Sequence, residues 1–325
     1  MKAILCRNWG GPEMLCLEEV AAAPLGPHEA RIRVRACGVN FADTLMIAGK
    51  YQVKPEFPFT PGLEAAGEVV EIGAAVRHLA PGRRVLAVLR FGGAYAEEIV
   101  VNADAVVPIP EAMDFITAAA FPVAYGTSHF ALTHRGHLQP GETLLVLGAA
   151  GGVGLSAVEI GKELGARVIA AAGGPDKLAV AREHGADELI DYQRESIRDW
   201  VRELTQGRGA DVVFDPVGGD AFDQALRAVN WEARMLVIGF AAGRIQAVPA
   251  NLILVKNISV TGVVWGAQAA RDPVLVSRNL AELLRWWEAR KLRPVVARTF
   301  PLAEAAAAMR ALLSRRHAGK IVMTI

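Results

Sequence analysis

A glycine-rich turn at residues 148–154 restricts the possible folds of this chain more than any other feature. The apolar run Leu144–Leu147 leads directly into Gly148-Ala149-Ala150-Gly151-Gly152-Val153-Gly154. Apolar residues then recur with the period of a helix that packs one face on a sheet, at Val153, Ala157, Ile160 and Leu164. A strand, a tight glycine turn and a helix N-terminus bring free backbone N–H groups and the positive end of the helix dipole to one point. The turn is therefore predicted to bind the pyrophosphate of a dinucleotide.

From about Ile116 onward the sequence alternates between strand-like and helix-like segments. Besides Leu144–Leu147, the strand candidates are Arg167–Ala172, Glu188–Asp191, Asp211–Asp215, Arg234–Gly239 and Ile258–Val264. The helix after the first of these is predicted over Asp176–His184, with Asp176 as its N-cap. Strands that alternate with helices of this length predict an α/β fold with a doubly wound parallel sheet, a Rossmann domain over residues 121–266.

Residues 1–120 show a different pattern of short strands and turns. Ala30–Ala36 alternates strictly, which places Arg31, Arg33 and Arg35 on one solvated face of a half-buried strand. Frequent short strands without long helices predict a β-rich, barrel-like domain. The last strand candidate, Gly319–Ile325, cannot stand alone and is predicted to return to this domain, which is then discontinuous and includes residues 267–325.

The composition excludes several classes of partner. The 325 residues include 35 basic and 34 acidic side chains, and 52% are hydrophobic, which predicts a compact two-domain protein without a nucleic-acid or membrane partner. The first residues turn polar too early for a signal peptide, and no apolar run approaches about 18 residues, so a cytoplasmic location is expected. Three cysteines are too few for a disulfide framework or a four-thiolate zinc site. Cys37 is interpreted as a buried, inert thiol.

The residues after the second strand of the α/β domain distinguish NADPH from NADH. An NAD-binding fold places an acidic side chain about 20 residues past the glycine turn, where it binds the ribose 2′-hydroxyl. Here Ala170–Gly174 contains no carboxylate, and Lys177 follows it. Asp176 is interpreted as the cap of the next helix. Small residues and a cation suit a 2′-phosphate, which a carboxylate would repel, so NADPH is the predicted cofactor.

These features resemble the medium-chain dehydrogenase/reductase superfamily, and within it the zinc-independent, zeta-crystallin-like quinone oxidoreductase branch. The resemblance extends over essentially the whole chain and rests on ordered motifs at the family's spacing: Gly38–Asp43, Pro61–Gly67, Gly148–Gly154, Asp215–Gly219, Asn251–Leu252 and Gly319–Lys320. It implies a Rossmann domain for NADP and a β-rich GroES-like barrel domain that carries the catalytic residues.

The resemblance also bears on metal binding. Zinc-dependent alcohol dehydrogenases of this superfamily have a cysteine and a histidine where this chain has Asn40 and Leu63, and the run of four structural cysteines is absent. Without thiolate and imidazole ligands no tetrahedral zinc site is expected. The scattered histidines are interpreted as surface or helix-end residues: His129, His134 and His137.

The resemblance further implies a role for individual positions. Gly151, Gly152 and Val153 match residues along the pyrophosphate. Residues that match the surroundings of the 2′-phosphate are Gly173, Lys177, Tyr192 and Arg315, with Arg316 as an alternative to Arg315. Residues that match the surroundings of the nicotinamide are Thr127, Phe240, Val263, Val264 and Trp265. Asn40 and Tyr51 match polar residues of the substrate site, and Leu45 replaces a tyrosine common in the branch, which makes one wall of that site less polar.

The resulting hypothesis is NADPH-dependent, metal-independent reduction of a quinone or a similar conjugated carbonyl compound, in which Asn40 and Tyr51 bind the acceptor oxygen. Transfer of a hydride or of single electrons both remain open. One alternative is an enoyl reductase of the same superfamily, acting on an unsaturated thioester or ketone. Another is a non-catalytic NADPH-binding protein. The strand Ile258–Val264 ends an open sheet with β-branched residues, so two chains are expected to pair there as a homodimer.

Overall fold

The computed structural model describes residues 1–268, 271–272 and 274–325. Its strands are β1 (Lys2–Cys6), β2 (Leu15–Glu19), β3 (Glu29–Val39), β4 (Glu64–Ile72), β5 (Arg84–Val88), β6 (Glu98–Asn102), β7 (Val106–Pro108), β8 (Thr143–Leu147), β9 (Arg167–Ala172), β10 (Glu188–Asp191), β11 (Ala210–Asp215), β12 (Val229–Val237), β13 (Ser259–Gly262), β14 (Val296–Pro301) and β15 (Lys320–Thr324). Its α-helices are α1 (Phe41–Ile47), α2 (Phe115–Ala119), α3 (Pro122–His129), α4 (Gly152–Glu163), α5 (Pro175–Glu183), α6 (Ile197–Leu204), α7 (Gly219–Ala225), α8 (Ala250–Lys256), α9 (Trp265–Arg271), α10 (Pro273–Glu288) and α11 (Ala305–Leu313). A π-helical segment, Phe130–Arg135, follows α3.

The chain divides into two compact units. The first comprises Met1–Val123, Gly266–Leu284 and Pro294–Ile325, and the second comprises Ala124–Trp265 and Arg285–Arg293. The main difference from the predicted boundaries is the segment Arg285–Arg293, which belongs to the second unit. The reason is a set of polar contacts with α4: Lys291 pairs with Glu163, and the backbone N–H of Arg293 donates to the Glu159 carboxylate at 3.0 Å.

The second unit contains the predicted parallel sheet. The strand order is β10-β9-β8-β11-β12-β13, and every neighbouring pair is parallel. The order reverses between β8 and β11, and ligands of such sheets bind outside the carboxyl ends of the strands at this reversal. Both central strands are completely buried, as expected for a sheet covered on two faces. The predicted doubly wound α/β domain is confirmed.

The first unit is built on a sheet of order β14-β15-β3-β4-β5-β7, with β6 also paired to β3 and a separate β1-β2 ribbon. The final strand β15 pairs antiparallel with β3, with Ile321 opposite Val39, so the predicted return of the chain end is confirmed. In β3 the apolar residues Ile32 and Val34 are buried while Arg33 and Arg35 are exposed. Arg31, the third arginine of the predicted solvated face, is only 14% exposed because it pairs with Glu71 at 3.3 Å, so period-2 alternation identified the buried face correctly and the solvated face in part.

One local prediction, the N-cap of α5, was wrong. Helix α5 begins at Pro175, and its N-cap is Gly174 with φ of 90°, whereas Asp176 lies in the first turn and is exposed. Proline fits the first helical position because its fixed φ is already helical, and glycine tolerates the positive φ before it. Of the histidines predicted at the surface or at a helix end, His129 ends α3, where it is 3% exposed and its ring packs edge-on to Trp286. His134 and His137 are exposed as predicted.

Within the part of the chain that the structure describes, no helix combines the length and the apolar character that crossing a bilayer requires.

Candidate functional site

The glycine turn joins β8 to α4 with a geometry that other residues would obstruct. Gly148 has φ of 59°, in the left-handed region, and its carbonyl accepts the N–H of Gly151 at 3.0 Å. A Cβ on Gly154 would lie 2.2 Å from that same carbonyl oxygen. Glycine at position 154 therefore allows α4 to begin directly against the turn.

The N-terminus of α4 is open to a ligand. Gly151 is the N-cap, it is exposed, and no side chain caps the helix there. The first-turn N–H groups of an α-helix have no partner within the helix, and the dipole places partial positive charge beside them. A Cβ built on Gly151 would meet nothing closer than the Gly148 oxygen at 3.5 Å. The turn thus fits a pyrophosphate, the group predicted for Gly151, Gly152 and Val153.

A second group of predicted residues lies where β9 and β10 end. A Cβ on Gly173 would lie 2.9 Å from the Gln193 amide and 3.2 Å from the ring of Tyr192. Tyr192 is 38% exposed, and Lys177 lies in α5 just after the Gly174 cap. Gly173 and Tyr192 are therefore neighbours, and Gly173 directly precedes the Gly174 cap of the helix that carries Lys177. Arg315 belongs to the first unit, in the turn after α11, with φ of 53°.

Asp191, whose carboxylate lies between the ends of β9 and β10, was not predicted from the sequence as a site residue. Its Oδ1 accepts the backbone N–H of Gly174 at 3.0 Å and of Gln193 at 3.1 Å. The Gly174 N–H is the main reason that the pKa of Asp191 is held below its ordinary value. Asp191 thus joins the ends of β9 and β10 through the backbone of both loops. Its position at the end of a predicted strand was the only signal for it.

The residues predicted near the nicotinamide fall into two places. A Cβ on Gly126 would lie 2.4 Å from the Trp265 indole, so that ring packs on α3 next to Thr127. Trp265 is 4% exposed and its Nε1 is buried without a hydrogen-bond partner among the described residues. Phe240 follows β12, with its ring 3.4 Å from a Cβ built on Gly218. Of the remaining pair, Val263 is buried and Val264 is 51% exposed.

Asp215, at the carboxyl end of β11, is a further residue without a predicted role. Its Oδ1 accepts the N–H groups of Val217 and Gly218, each at 2.8 Å. Its Oδ2 is buried without a partner in the described chain, and burial raises the pKa of this carboxyl to about 6. A Cβ on Gly148 would lie 2.9 Å from Val217, so this loop adjoins the glycine turn at the reversal of strand order. The motif Asp215–Gly219 supported the family resemblance but gave no role for the carboxyl.

In the first unit, Asn40 belongs to a buried polar cluster, which we define as Asn40, Asp43, Glu64, Tyr95 and Lys320. Asn40 precedes α1, and its backbone N–H donates to Asp43 Oδ2 at 2.8 Å. Its side-chain Nδ2 donates to Glu64 Oε1 at 2.8 Å, and its Oδ1 accepts from Lys320 Nζ at 2.6 Å. The side chain predicted to meet the acceptor is thus 8% exposed and held on both sides.

Asp43 is a completely buried member of this polar cluster. Its Oδ2 also accepts the Tyr95 hydroxyl at 2.8 Å, and its Oδ1 has no hydrogen-bond partner among the described residues. Complete burial raises the pKa of Asp43 to about 7, against the opposing effects of the Asn40 N–H, the Tyr95 hydroxyl and the Lys320 charge. Burial, and then the charge of Asp43, raises the pKa of Tyr51, which is half-buried.

Replacing Asp43 with asparagine is expected to flatten the pH dependence of stability. Between pH about 4 and 7 the native carboxyl holds a proton that the unfolded chain has released, so the free energy of unfolding falls as pH rises through this window. A displacement of about 3 pKa units corresponds to on the order of 4 kcal/mol across the whole window. Urea unfolding of both proteins between pH 4 and 8 measures the difference. Parallel curves for wild type and variant would contradict this origin of the pH dependence.

Two further observations concern metal binding and thiol chemistry. Leu63 is buried next to Glu64, and among the described residues no group of three or more His, Cys, Asp and Glu side chains is placed to hold a metal ion.

Cys37 is completely buried, and burial raises the pKa of its thiol well above the ordinary range. A thiol that stays protonated is a poor nucleophile, as predicted for Cys37.

Two family models match the chain. The model described as an alcohol dehydrogenase GroES-like domain matches residues 26–111, and the one described as a zinc-binding dehydrogenase matches residues 152–282. The first match lies within the β-rich unit, and the second covers most of the parallel sheet and continues into the segment Gly266–Leu284 of the first unit.

Several known proteins are similar over nearly their whole length. Quinone oxidoreductase-like protein 2 homolog of Nematostella vectensis is 42% identical over 99% of this chain and 88% of its own. The crystal structure of Escherichia coli quinone oxidoreductase complexed with NADPH superposes with a TM-score of 0.94 at 30% identity, with both chains covered completely. The quinone oxidoreductase of Thermus thermophilus, whose complex with NADPH is also known, superposes with a TM-score of 0.87 at 36% identity, again over the full length of both chains.

Proposed function

Because the chain belongs to the quinone oxidoreductase branch of the medium-chain dehydrogenase/reductase superfamily, we propose that it is an NADPH-dependent, metal-independent reductase of a quinone or similar conjugated carbonyl compound. The observation that carries the proposal is the uncapped N-terminus of α4 at Gly151, next to a turn in which only glycine fits at position 154. Such a site suits a dinucleotide pyrophosphate, because the first-turn N–H groups of α4 have no side-chain cap that would compete for them.

NADPH would be held mainly by residues of the second unit. Gly151, Gly152 and Val153 would bind the pyrophosphate, and Gly173, Lys177 and Tyr192 would surround the 2′-phosphate, with Arg315 or Arg316 as a further cation. Thr127, Phe240, Val263, Val264 and Trp265 would line the nicotinamide. When bound, NADPH supplies the reducing equivalents, which neither unit's side chains provide. The protein's part is to bind, orient and exclude water.

The end of β9 supports NADPH over NADH. Ala172 and Gly173 carry no carboxylate, and Asp191 is tied to the Gly174 and Gln193 backbone. Asp176, although not the cap of α5, is an exposed first-turn residue that is stabilised by the helix dipole. Lys177 therefore remains the residue of this segment with the right charge for a 2′-phosphate.

For the acceptor we propose Asn40 and Tyr51 as hydrogen-bonding residues. Asn40 Nδ2 has two hydrogens, of which Glu64 takes one. The raised pKa of Tyr51 keeps its phenol protonated, so it too is a donor. Donors suit a carbonyl oxygen that gains negative charge on reduction. Metal independence is supported by Asn40 and Leu63 in place of cysteine and histidine, and by the lack of a metal-ligand group among the described residues.

Stopped-flow loss of NADPH absorbance with three acceptors side by side tests the proposal: 9,10-phenanthrenequinone, crotonyl-CoA and a 2-alkenal. Fastest turnover of the quinone is expected. A preference for crotonyl-CoA would instead identify an enoyl reductase. Tight NADPH binding without turnover of any acceptor would identify a non-catalytic NADPH-binding protein and overturn the proposed activity.

We also propose a homodimer that pairs through the edge strand β13. This strand is hydrogen-bonded to β12 on one side and ends the sheet, and its neighbourhood exposes apolar side chains: Leu254 at 78%, Val255 at 63% and Val264 at 51%. An exposed, apolar strand edge is a template for pairing with another chain.

Replacing Gly262 with lysine is expected to convert the dimer to a monomer, because a charged side chain on a strand edge opposes pairing. A Cβ at Gly262 meets nothing within 4 Å in its own chain, so the substitution leaves the fold intact. Light scattering at micromolar concentration measures the mass, and Gly262→Ala is the matched control, expected to stay dimeric. A monomeric wild-type protein would contradict the proposal.

A further inference from the structure

The buried ion pair next to Asn40 has no role in the function as described so far. Lys320 Nζ donates to Glu64 Oε1 at 2.6 Å, to Asn40 Oδ1 at 2.6 Å and to the backbone oxygen of Val39 at 3.1 Å. Glu64 is completely buried and Lys320 is 7% exposed. Burial of such a pair is costly unless further hydrogen bonds satisfy both charges, and here Asn40 supplies one to each.

The pair leaves the Asn40 carboxamide one orientation. Its oxygen faces the ammonium and its nitrogen faces the carboxylate. The flipped amide would place N–H groups against the lysine and an oxygen against the glutamate, so both contacts would become repulsive. Asn40 thus has its acceptor oxygen occupied by a cation, and the free hydrogen on Nδ2 remains for a ligand.

The carboxylate of Glu64 is itself held in place by the backbone. Its Oε2 accepts the N–H of Val123 at the start of α3 at 2.9 Å. A Cβ on Gly38 would lie 2.2 Å from Glu64 Oε1 and 2.5 Å from the backbone oxygen of Ala119. The glutamate therefore fills the space that a side chain at position 38 would need. The orientation of Asn40 is set by contacts from β4, β15 and the start of α3.

We propose that Glu64 and Lys320 are positioning residues, which hold the Asn40 carboxamide in one orientation so that it meets the acceptor only as a hydrogen-bond donor. The inference rests on the proposed function, in which Asn40 contacts the acceptor oxygen. Glu64 and Lys320 would then determine specificity without touching the acceptor. They would favour an acceptor whose oxygen accepts a hydrogen bond, such as a carbonyl.

The test compares three proteins: Asn40→Ala, the paired variant Glu64→Gln/Lys320→Met, and the triple variant that combines them. The paired variant removes both charges together, which avoids an uncompensated buried charge. We expect Asn40→Ala and the paired variant each to lower kcat/KM for 9,10-phenanthrenequinone about tenfold, the effect of one lost hydrogen bond. The triple variant should lose no more than Asn40→Ala, and the Kd for NADPH should stay within about twofold throughout.

A conservative variant and a control complete the design. Lys320→Arg keeps the cation and is expected to retain most of the activity. Glu64→Asp keeps the charge but withdraws the carboxylate from Asn40, so this variant should lower kcat/KM. Glu64→Asp therefore tests the positioning role even if the paired variant does not fold. Arg7→Met breaks an exposed ion pair of the same unit, to Glu18 at 2.8 Å, and should leave kcat/KM unchanged.

Losses that multiply in the triple variant would overturn the positioning role, because two independent defects would then act. Full activity of Glu64→Asp would overturn it as well. If Asn40→Ala alone keeps full activity, both the positioning role and the proposed contact of Asn40 with the acceptor are wrong. Failure of the wild-type protein to oxidise NADPH with any acceptor is a different result, which overturns the proposed function itself.

Discussion

Replacing Gly151 with aspartate is expected to weaken NADPH binding strongly while the protein stays folded. Aspartate is among the best N-cap residues, and a Cβ at this position meets nothing closer than 3.5 Å, so α4 should be as stable as before or more so. The carboxylate would accept the first-turn N–H groups that a pyrophosphate needs and would repel its charge. A weakening of the Kd for NADPH by about 100-fold is expected from the lost charge-assisted hydrogen bonds and the repulsion.

Fluorescence titration with NADPH and thermal unfolding of the same samples measure the two effects separately. Gly151→Asn is the matched control, since asparagine caps the helix equally well without a charge. It should weaken NADPH clearly less than the aspartate variant does. Unchanged affinity in Gly151→Asp would show that the dinucleotide binds away from the glycine turn, and a loss of folding would show that the N-cap position has a structural constraint beyond its backbone.

Replacing Lys177 with glutamate is expected to raise the KM for NADPH about 30-fold and to leave the KM for NADH within about twofold, because only NADPH carries the 2′-phosphate. The lysine lies in the first turn of α5, after the Gly174 cap, and no carboxylate ends β9. A glutamate there would exchange attraction for repulsion of the phosphate.

Steady-state kinetics with both cofactors at a fixed quinone concentration measure this selectivity. Lys177→Met removes the attraction without adding repulsion and should fall between wild type and the glutamate variant. Equal increases of KM for NADPH and NADH would place recognition of the 2′-phosphate elsewhere, with Arg315 and Arg316 as the next residues to replace.

The parts of the fold that local sequence patterns encode were predictable. The glycine turn, the period of α4 and the strictly alternating β3 each depend on residues close in sequence, and all three have the predicted form. The N-cap of α5 could not be predicted from local sequence alone. Asp176 is a good N-cap residue, but Gly174 as N-cap followed by Pro175 at the first helical position is an equally suitable helix start, and the structure has the latter. The burial of His129 could not be predicted in this way either, because it depends on Trp286, far along the chain.

The buried polar residues were not predictable for a related reason. Asn40 and Lys320 are 280 positions apart, and Glu64 and Lys320 are 256 positions apart, so no local pattern connects them. Only the return of β15 to the sheet of the first unit brings the lysine to Asn40. Asp191 and Asp215 likewise acquire their backbone partners where parallel strands end together. A candidate acceptor-binding residue was therefore recognisable at position 40, but the cluster that orients it was not.

The most direct test of the central claim is NADPH oxidation by chelator-treated protein with 9,10-phenanthrenequinone, followed by stopped-flow absorbance. We expect the same rate before and after removal of metal ions, no gain from added Zn²⁺, and a much slower reaction with NADH. Loss of turnover on chelation with recovery on addition of Zn²⁺ would contradict a metal-independent NADPH-dependent reductase.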